Sequence, residues 1–537
     1  MKKIHEHFGV KRTPQSRPVP GRQDMAKNAA GGYAFELDGW DTLDRFLVLG
    51  TEGGTHYVTE RELTVDAAGN AVSCIKQDGE RAVERIVEVS EGGRAAKNDY
   101  ALFALALATT FGEEATRKAA YAALPRVART GAHLFVFLNY VESMRGWSRG
   151  LRRAVGRWYA EKRPKDLAYQ VTKYRRRYGF SHRDALRLSH PHPPTEEHGS
   201  IFAFVTQGRL DDAPGGEGTD YLLRVAELSG LEEDPEETAR LVAAHRLPRE
   251  VVPTPLLNEK VVWEALLGEE GSGMPLSALI RNLGNLTKVG ALVPMNDLSR
   301  AVAERLKDPE AIRRARVHPM AVMTALVTYR SGGGYRGSGS WTPVREVVEG
   351  LSDAFYAAFE NVEPTRKRIV YGVDVSGSMT GHYTDVAGVP GLTPAMAAGA
   401  MALVSAATEE RCAIWGFDHR LVALPITARS TLSEAMAATS RSGGATDASL
   451  PMRHALEEGV GADAFVLATD NETWYGDRHP IQALNDYRQA TGIPARLIII
   501  SMTATHSTLG DPTDDGVLDV VGLSTDTLRL VNDFIRG

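Results

Sequence analysis

The stretch Arg368-Ile-Val-Tyr-Gly-Val-Asp374-Val-Ser376-Gly-Ser378-Met379 decides the fold of the carboxyl-terminal part of the chain. Arg368 to Val375 is a short apolar run, which predicts a buried strand, and it ends in one carboxylate and two hydroxyls on a tight loop. The alternation continues downstream. The patterns predict helix 395–409, strand 411–417, helix 446–458, strand 464–469, helix 481–490 and strand 495–502. Strands alternating with helices imply a parallel, doubly wound α/β sheet with its ligand site at the carboxyl ends of the strands.

Two further loops belong to that edge: Gly444-Ala-Thr446-Asp447, just before a helix, and Thr469-Asp470-Asn471, directly after a strand. Each piece alone is an ordinary capping turn. Three in the right order read as a hard-oxygen donor set. Mg²⁺ prefers octahedral oxygen ligands, keeps several waters and takes few direct carboxylates, so two serine hydroxyls backed by Asp374 suit it. No Lys or His general base accompanies the site, and the D-x-D-x-T of phosphotransferases is absent, so the chain is not expected to be an enzyme.

Working toward the amino terminus, the linker Glu363-Pro-Thr-Arg-Lys367 separates this region from a helical one. From about Tyr100 to Phe359 apolar residues recur at three and four spacings, as in Phe135, Leu138, Val141 and Met144. Gly112, Gly131, Pro164, Pro253, Pro275 and Pro319 fall between segments of helix length, which suits stacked antiparallel helix pairs. Residues 33–74, with a Gly53-Gly54 turn, read as an irregular cap. Residues 1–24 read as a flexible basic tail, 25–360 as an all-α module and 361–537 as the α/β domain.

Charge is unevenly spread. The net charge is -6, but residues 145–187 hold 14 Lys/Arg against the acids Glu161, Asp166 and Asp184. In the run from Val171 to Pro191, Lys173, Arg175, Arg176, Arg177, Arg187, His182 and His190 are interleaved with Tyr174, Tyr178 and Phe180. Cations neutralise phosphates, and aromatic rings stack on unpaired bases, so the segment is expected to bind RNA; a charge run is otherwise a solvated helix face. Zinc is a poor fit for His182, His190, His192 and His198, because Pro191 interrupts them and no cysteine partners them.

Composition bounds the rest. Hydrophobic residues make up 43% and charged residues 24%, ordinary for a globular protein. There is no apolar run long enough to span a bilayer and no secretory signal, so a cytoplasmic protein with no membrane partner is expected. Cys74 and Cys412 sit in apolar segments and read as buried free thiols.

The three metal loops resemble a von Willebrand factor A domain with a metal-ion-dependent adhesion site. That resemblance implies Ser376, Ser378 and Thr446 as direct ligands, Asp374 and Asp470 acting largely through water, and one open position for an acidic group of a partner. Nearly all of the chain, about residues 25–537, resembles the Ro (SS-A/Ro ribonucleoprotein) family. Gly31-Gly-Tyr-Ala, Phe46-Leu-Val-Leu-Gly-Thr-Glu-Gly-Gly-Thr55, Met274-Pro-Leu-Ser-Ala-Leu-Ile-Arg-Asn-Leu-Gly284, His318-Pro-Met and Thr328-Tyr-Arg-Ser-Gly332 look like motifs of its TROVE module. Leu450-Pro-Met and Thr469-Asp-Asn-Glu-Thr473 add to the match.

The resemblance implies a ring of HEAT-like helical repeats followed by the A-type domain. It implies Y-type small non-coding RNA on the outer face, with Lys173, Arg177 and His190 as contacts. It also implies misfolded or precursor RNA held by its single-stranded 3′ end in a central hole, and delivery to a 3′-to-5′ exoribonuclease; DNA is not expected. Ala445 stands where many members have a second Gly, and the segment 381–394 beside the metal loop looks individual. Two rivals remain: a scaffold that docks a partner carboxylate on the metal, and a metal-dependent nuclease, which would want more clustered carboxylates than the sequence offers.

Overall fold

A computed structural model of the chain describes residues 12–537 apart from 29, 37–38, 50–67, 93–97, 211–214, 232–233, 269–273, 335–338, 381–385, 387–388, 442, 472, 503–506 and 523–524. The Gly53-Gly54 turn, much of the 46–55 motif, the first eleven residues and half of the 381–394 segment therefore lie outside the described residues. The chain forms two compact units. One comprises residues 1–62, 316–331 and 354–537, the other residues 63–315 and 332–353.

The second unit is helical. Helix Asp99–Phe111, DYALFALALATTF, is apolar on nearly all sides and buried, as such a helix must be. It packs on Gly131–Met144, while Gly79–Glu91 packs on Glu114–Val127, so each helix meets the next but one, as in stacked helix pairs. The punctuation acts as expected: Pro164 opens helix Pro164–Lys173, and Thr130, Ser148 and Thr195 accept N-cap hydrogen bonds at helix starts. A two-stranded hairpin, β3 (Arg176–Arg177) with β4 (Phe180–Ser181), interrupts the helices and follows the short antiparallel strands β1 (Met25–Lys27) and β2 (Tyr33–Glu36) of the other unit.

The first unit carries a six-stranded sheet of β5 (Arg368–Asp374), β6 (Arg411–Phe417), β7 (Leu421–Ala423), β8 (Ala464–Thr469), β9 (Arg496–Ser501) and β11 (Val517–Val521), in the order β11-β9-β8-β5-β6-β7. All neighbours are parallel except β7 on β6. Central strands β5 and β8 are buried along almost their whole length, which is why they read as continuous apolar runs. Helix Leu450–Glu457 is shorter than expected: the turn made by Asp447 and Ser449 precedes it, and Pro451 fits only its first turn.

The tail and cap expected at the amino terminus are corrected. Strands β1 and β2 form a sheet with β10 (Ser507–Thr508), placing Phe35 and Ala34 in one core with Phe465, Leu497 and Leu509. Residues 12–24 are docked on the same domain: Gln15 is buried, and Arg22 pairs with Asp511 at 2.8 Å. Residues 39–49 and 69–77 form helices rather than irregular structure. Cys74 is buried and Cys412 half-buried, both as free thiols. Among the described residues no helix is long and apolar enough to cross a membrane.

Candidate RNA-binding face and metal centre

The basic segment sorts into interior and exposed groups. Lys173, the last residue of its helix, is 20% exposed and bonded from Nζ to Tyr169 Oη at 2.7 Å and Glu250 Oε1 at 3.1 Å. Burial alone would lower its pKa, but the bonds to Tyr169 and Glu250 outweigh it and raise the value. Lys173 is therefore a paired cation that would have to exchange Glu250 for a phosphate. Lys162, over the Trp158 ring at 4.1 Å, and Arg145, donating to Thr109 O at 2.6 Å, serve the fold too.

His182 is a correction. It is 2% exposed and packs against Phe135 at 4.7 Å and Trp158 at 6.2 Å between ring centroids. Its Nε2 faces Gln170 O at 3.2 Å and its Nδ1 faces Tyr159 Oη at 2.7 Å. A carbonyl only accepts, so Nε2 carries the proton and Nδ1 accepts from the tyrosine. Burial pushes its pKa down to about 3. Gly131 allows the approach, since a Cβ there would lie 2.7 Å from the imidazole. This histidine is a neutral core group, not an RNA contact.

Arg175, Arg176, Arg177, Arg187 and His190 are exposed, and so is Arg183. Arg176 and Arg177 lie on β3, and the tight turn to β4 holds Tyr178 at φ 48° with 53% of its surface exposed and the Arg177 guanidinium 5.3 Å from its ring centroid. His190 caps helix His182–Ser189 in the left-handed conformation and faces solvent. The arrangement offers cations for phosphates and one projecting aromatic for a base.

At the sheet edge the loops converge. Val375 N donates to Phe417 O at 3.0 Å and Gly443 N to Val375 O at 3.1 Å, so the first serine and the threonine loop are joined by backbone, with Ser376 bridged to Gly443. Ser376 Oγ and Ser378 Oγ are 3.1 Å apart. Asp374 is fully buried behind them; its Oδ1 accepts from Ser376 N at 2.9 Å and its Oδ2 from Thr469 Oγ1 at 2.7 Å. Thr446 and Asp470 are also buried. Burial and then the charge of Asp470 hold the Asp374 carboxyl well above the usual carboxylate range. Buried carboxylates beside neutral hydroxyls fit a hard divalent cation, which would offset their mutual repulsion. Among the described residues no cluster of three His, Cys, Asp or Glu side chains is placed to bind a metal.

Sequence reading missed Asp418, which follows β6. Its Oδ2 accepts from Gly444 N at 3.4 Å and its carbonyl accepts from Asp447 N at 2.8 Å, holding both ends of the threonine loop. An acid just after a strand at the ligand edge was the available signal.

The TROVE domain model matches residues 26–209 and 238–328, and the Ro60 vWA domain model matches 368–535. The chain belongs to the Ro60 family. It is 41% identical over 534 residues to the RNA-binding protein RO60 of Deinococcus radiodurans, covering 98% of each chain. Against the RNA-binding protein RO60 of Caenorhabditis elegans it is 31% identical, covering 98% of this chain and 92% of the relative. The crystal structure of the Deinococcus radiodurans Ro (RSR) protein matches with a TM-score of 0.75 and 39% identity, over 93% of this chain and all of that one. The Ro60 assignment thus spans both units, the helical TROVE region and the mostly parallel sheet.

Proposed function

We propose that this chain is a non-catalytic, cytoplasmic RNA-binding protein that holds a small structured RNA of the Y type on its basic helical face. The observation that carries the reading is the exposed set Arg175, Arg176, Arg177, Arg187 and His190 together with the projecting Tyr178, all within 16 residues of a chain whose net charge is negative. Such a set binds backbone phosphate and stacks a base without supplying a reacting group. In the same reading, single-stranded 3′ ends of misfolded or precursor RNA are threaded through the helical module and passed to a 3′-to-5′ exoribonuclease. Ser376, Ser378 and Thr446, with Asp374 and Asp470 behind them, hold Mg²⁺ and leave a position for a partner's carboxylate. Sequencing RNA that co-purifies with the protein, before and after a high-salt wash, tests this. Small structured RNAs released by salt are expected; protein that purifies without RNA and takes up none would contradict it.

A further inference from the structure

Gln15 is 0% exposed, although it lies in a polar, proline-containing segment far from any core in sequence. Its amide nitrogen donates to Asp447 Oδ1 at 2.7 Å and Arg478 O at 3.1 Å, and its Oε1 accepts from Thr473 Oγ1. Its backbone is used as well: Gln15 N donates to Gly476 O at 3.2 Å, and Tyr33 N donates to Gln15 O at 2.8 Å. Two of the three groups reached by the side chain, Asp447 and Thr473, lead to the Thr446 loop. Thr473 Oγ1 lies 2.9 Å from Thr446 O, and Asp447 follows Thr446 directly, its Oδ1 also accepting from Ser449 N at 3.0 Å and Ser449 Oγ at 2.6 Å. Tyr475 N donates to Thr446 O at 3.2 Å.

Asn28 pins the other side of that strap. Its Nδ2 donates to Thr473 O at 2.7 Å, and its Oδ1 accepts from Gly32 N at 2.8 Å. Gly32 must lack a side chain, because a Cβ there would sit 2.0 Å from Thr473 O. The threonine loop is thus held by residues 473–476, and residues 473–476 are held by Gln15 and Asn28.

We propose that Gln15 is a positioning residue for the Thr446 loop, so that the amino-terminal segment is a structural part of the divalent-cation site. The proposal rests on the reading of Ser376, Ser378 and Thr446 as cation ligands. A neutral hydroxyl is a weak ligand, and its contribution depends on being held in place before the ion arrives. Removing Gln15 takes one of three donors from Asp447 Oδ1 and one of two acceptors from Thr473 Oγ1, and so loosens a buried network whose bonds support one another. Because the same contacts join the cation site to the docked segment, each should strengthen the other.

The test uses the full chain as wild type, Gln15→Ala and Arg22→Gln, the last loosening the segment at Asp511 without touching the threonine loop. Calorimetry with Mn²⁺ reads affinity, and amide hydrogen exchange without metal reads the loop at Asp447, Ser449 and Tyr475. Gln15→Ala should weaken Mn²⁺ binding about tenfold and speed exchange at those amides about tenfold, while Arg22→Gln leaves both within about twofold. Gln15→Asn, which keeps the amide but shortens its reach, replaces the alanine variant if that does not fold. Unchanged affinity and exchange in the Gln15 variants would overturn the proposal, and so would equal effects from Arg22→Gln, which would make the role general docking. If wild type takes up no Mn²⁺, the metal reading fails, and the exchange measurement alone decides whether Gln15 positions the loop.

Discussion

Acid should destabilise the helical unit through His182, by an amount that the structure sets. Burial holds the imidazole neutral, with a pKa of about 3, against about 6.5 for the same group in an unfolded chain. The folded value is the lower one. The contribution is therefore fully present above about pH 6.5 and is lost as pH falls toward 3, because only the unfolded state takes up the proton in that window. Between pH 7.5 and 5.0 the unfolded chain gains about 1.5 pH units of protonation free energy, or roughly 2 kcal/mol. His133 and His318, both pushed down to about 4 by burial, add slopes of the same sign, so the diagnostic quantity is a difference between proteins. His182→Gln keeps a donor and an acceptor but has no titrating group. Urea unfolding followed by tryptophan fluorescence should show wild type losing about 2 kcal/mol more than the variant over this pH interval. Equal losses would refute the assignment of His182 as a buried neutral base.

At pH 7.5 the same His182→Gln protein, if folded, should bind RNA within about threefold of wild type, because the ring lies inside the unit; a loss as large as that of an arginine variant, read by filter binding, would return it to the RNA face. Ser376→Ala with Ser378→Ala should abolish Mn²⁺ or Mg²⁺ binding in calorimetry and leave RNA affinity nearly intact, since the loop and the basic segment belong to different units. Glu250→Gln should tighten RNA binding a few-fold in the same filter assay by releasing Lys173 from its 3.1 Å pair. On the proposed threading, a hairpin RNA with a single-stranded 3′ extension should outbind its blunt and circular forms in competition, because threading needs a free end.

The sheet was legible because β5, β6, β8 and β9 are apolar runs of strand length, and their ends carry the Asp, Ser and Thr residues that form the loops. Strand β7 escaped notice because it has three residues on an edge, and β11 because Asp519 interrupts its apolar pattern. His182 could have been placed correctly: His182, Ala185, Leu186 and Ser189 recur at the spacing of a single helix face, and all four are buried. The basic run around it masked that period. Gln15 offered no such signal, since its partner Asp447 lies 432 residues away and nothing local distinguishes a docked polar segment from a tail. Lys173 gave up its expected freedom for the same reason, Glu250 being remote in sequence.

In the proposed function RNA is held electrostatically by the cations between Lys173 and His190. The most direct test of this is the salt dependence of affinity for a small structured RNA, measured for wild type and for Lys173→Ala with Arg177→Ala. With about six phosphates neutralised, log K should fall against log salt with a slope between about -4 and -5, and losing two contacts should weaken binding severely and flatten that slope by about 1.5. A folded double variant with the affinity and slope of wild type would contradict the account.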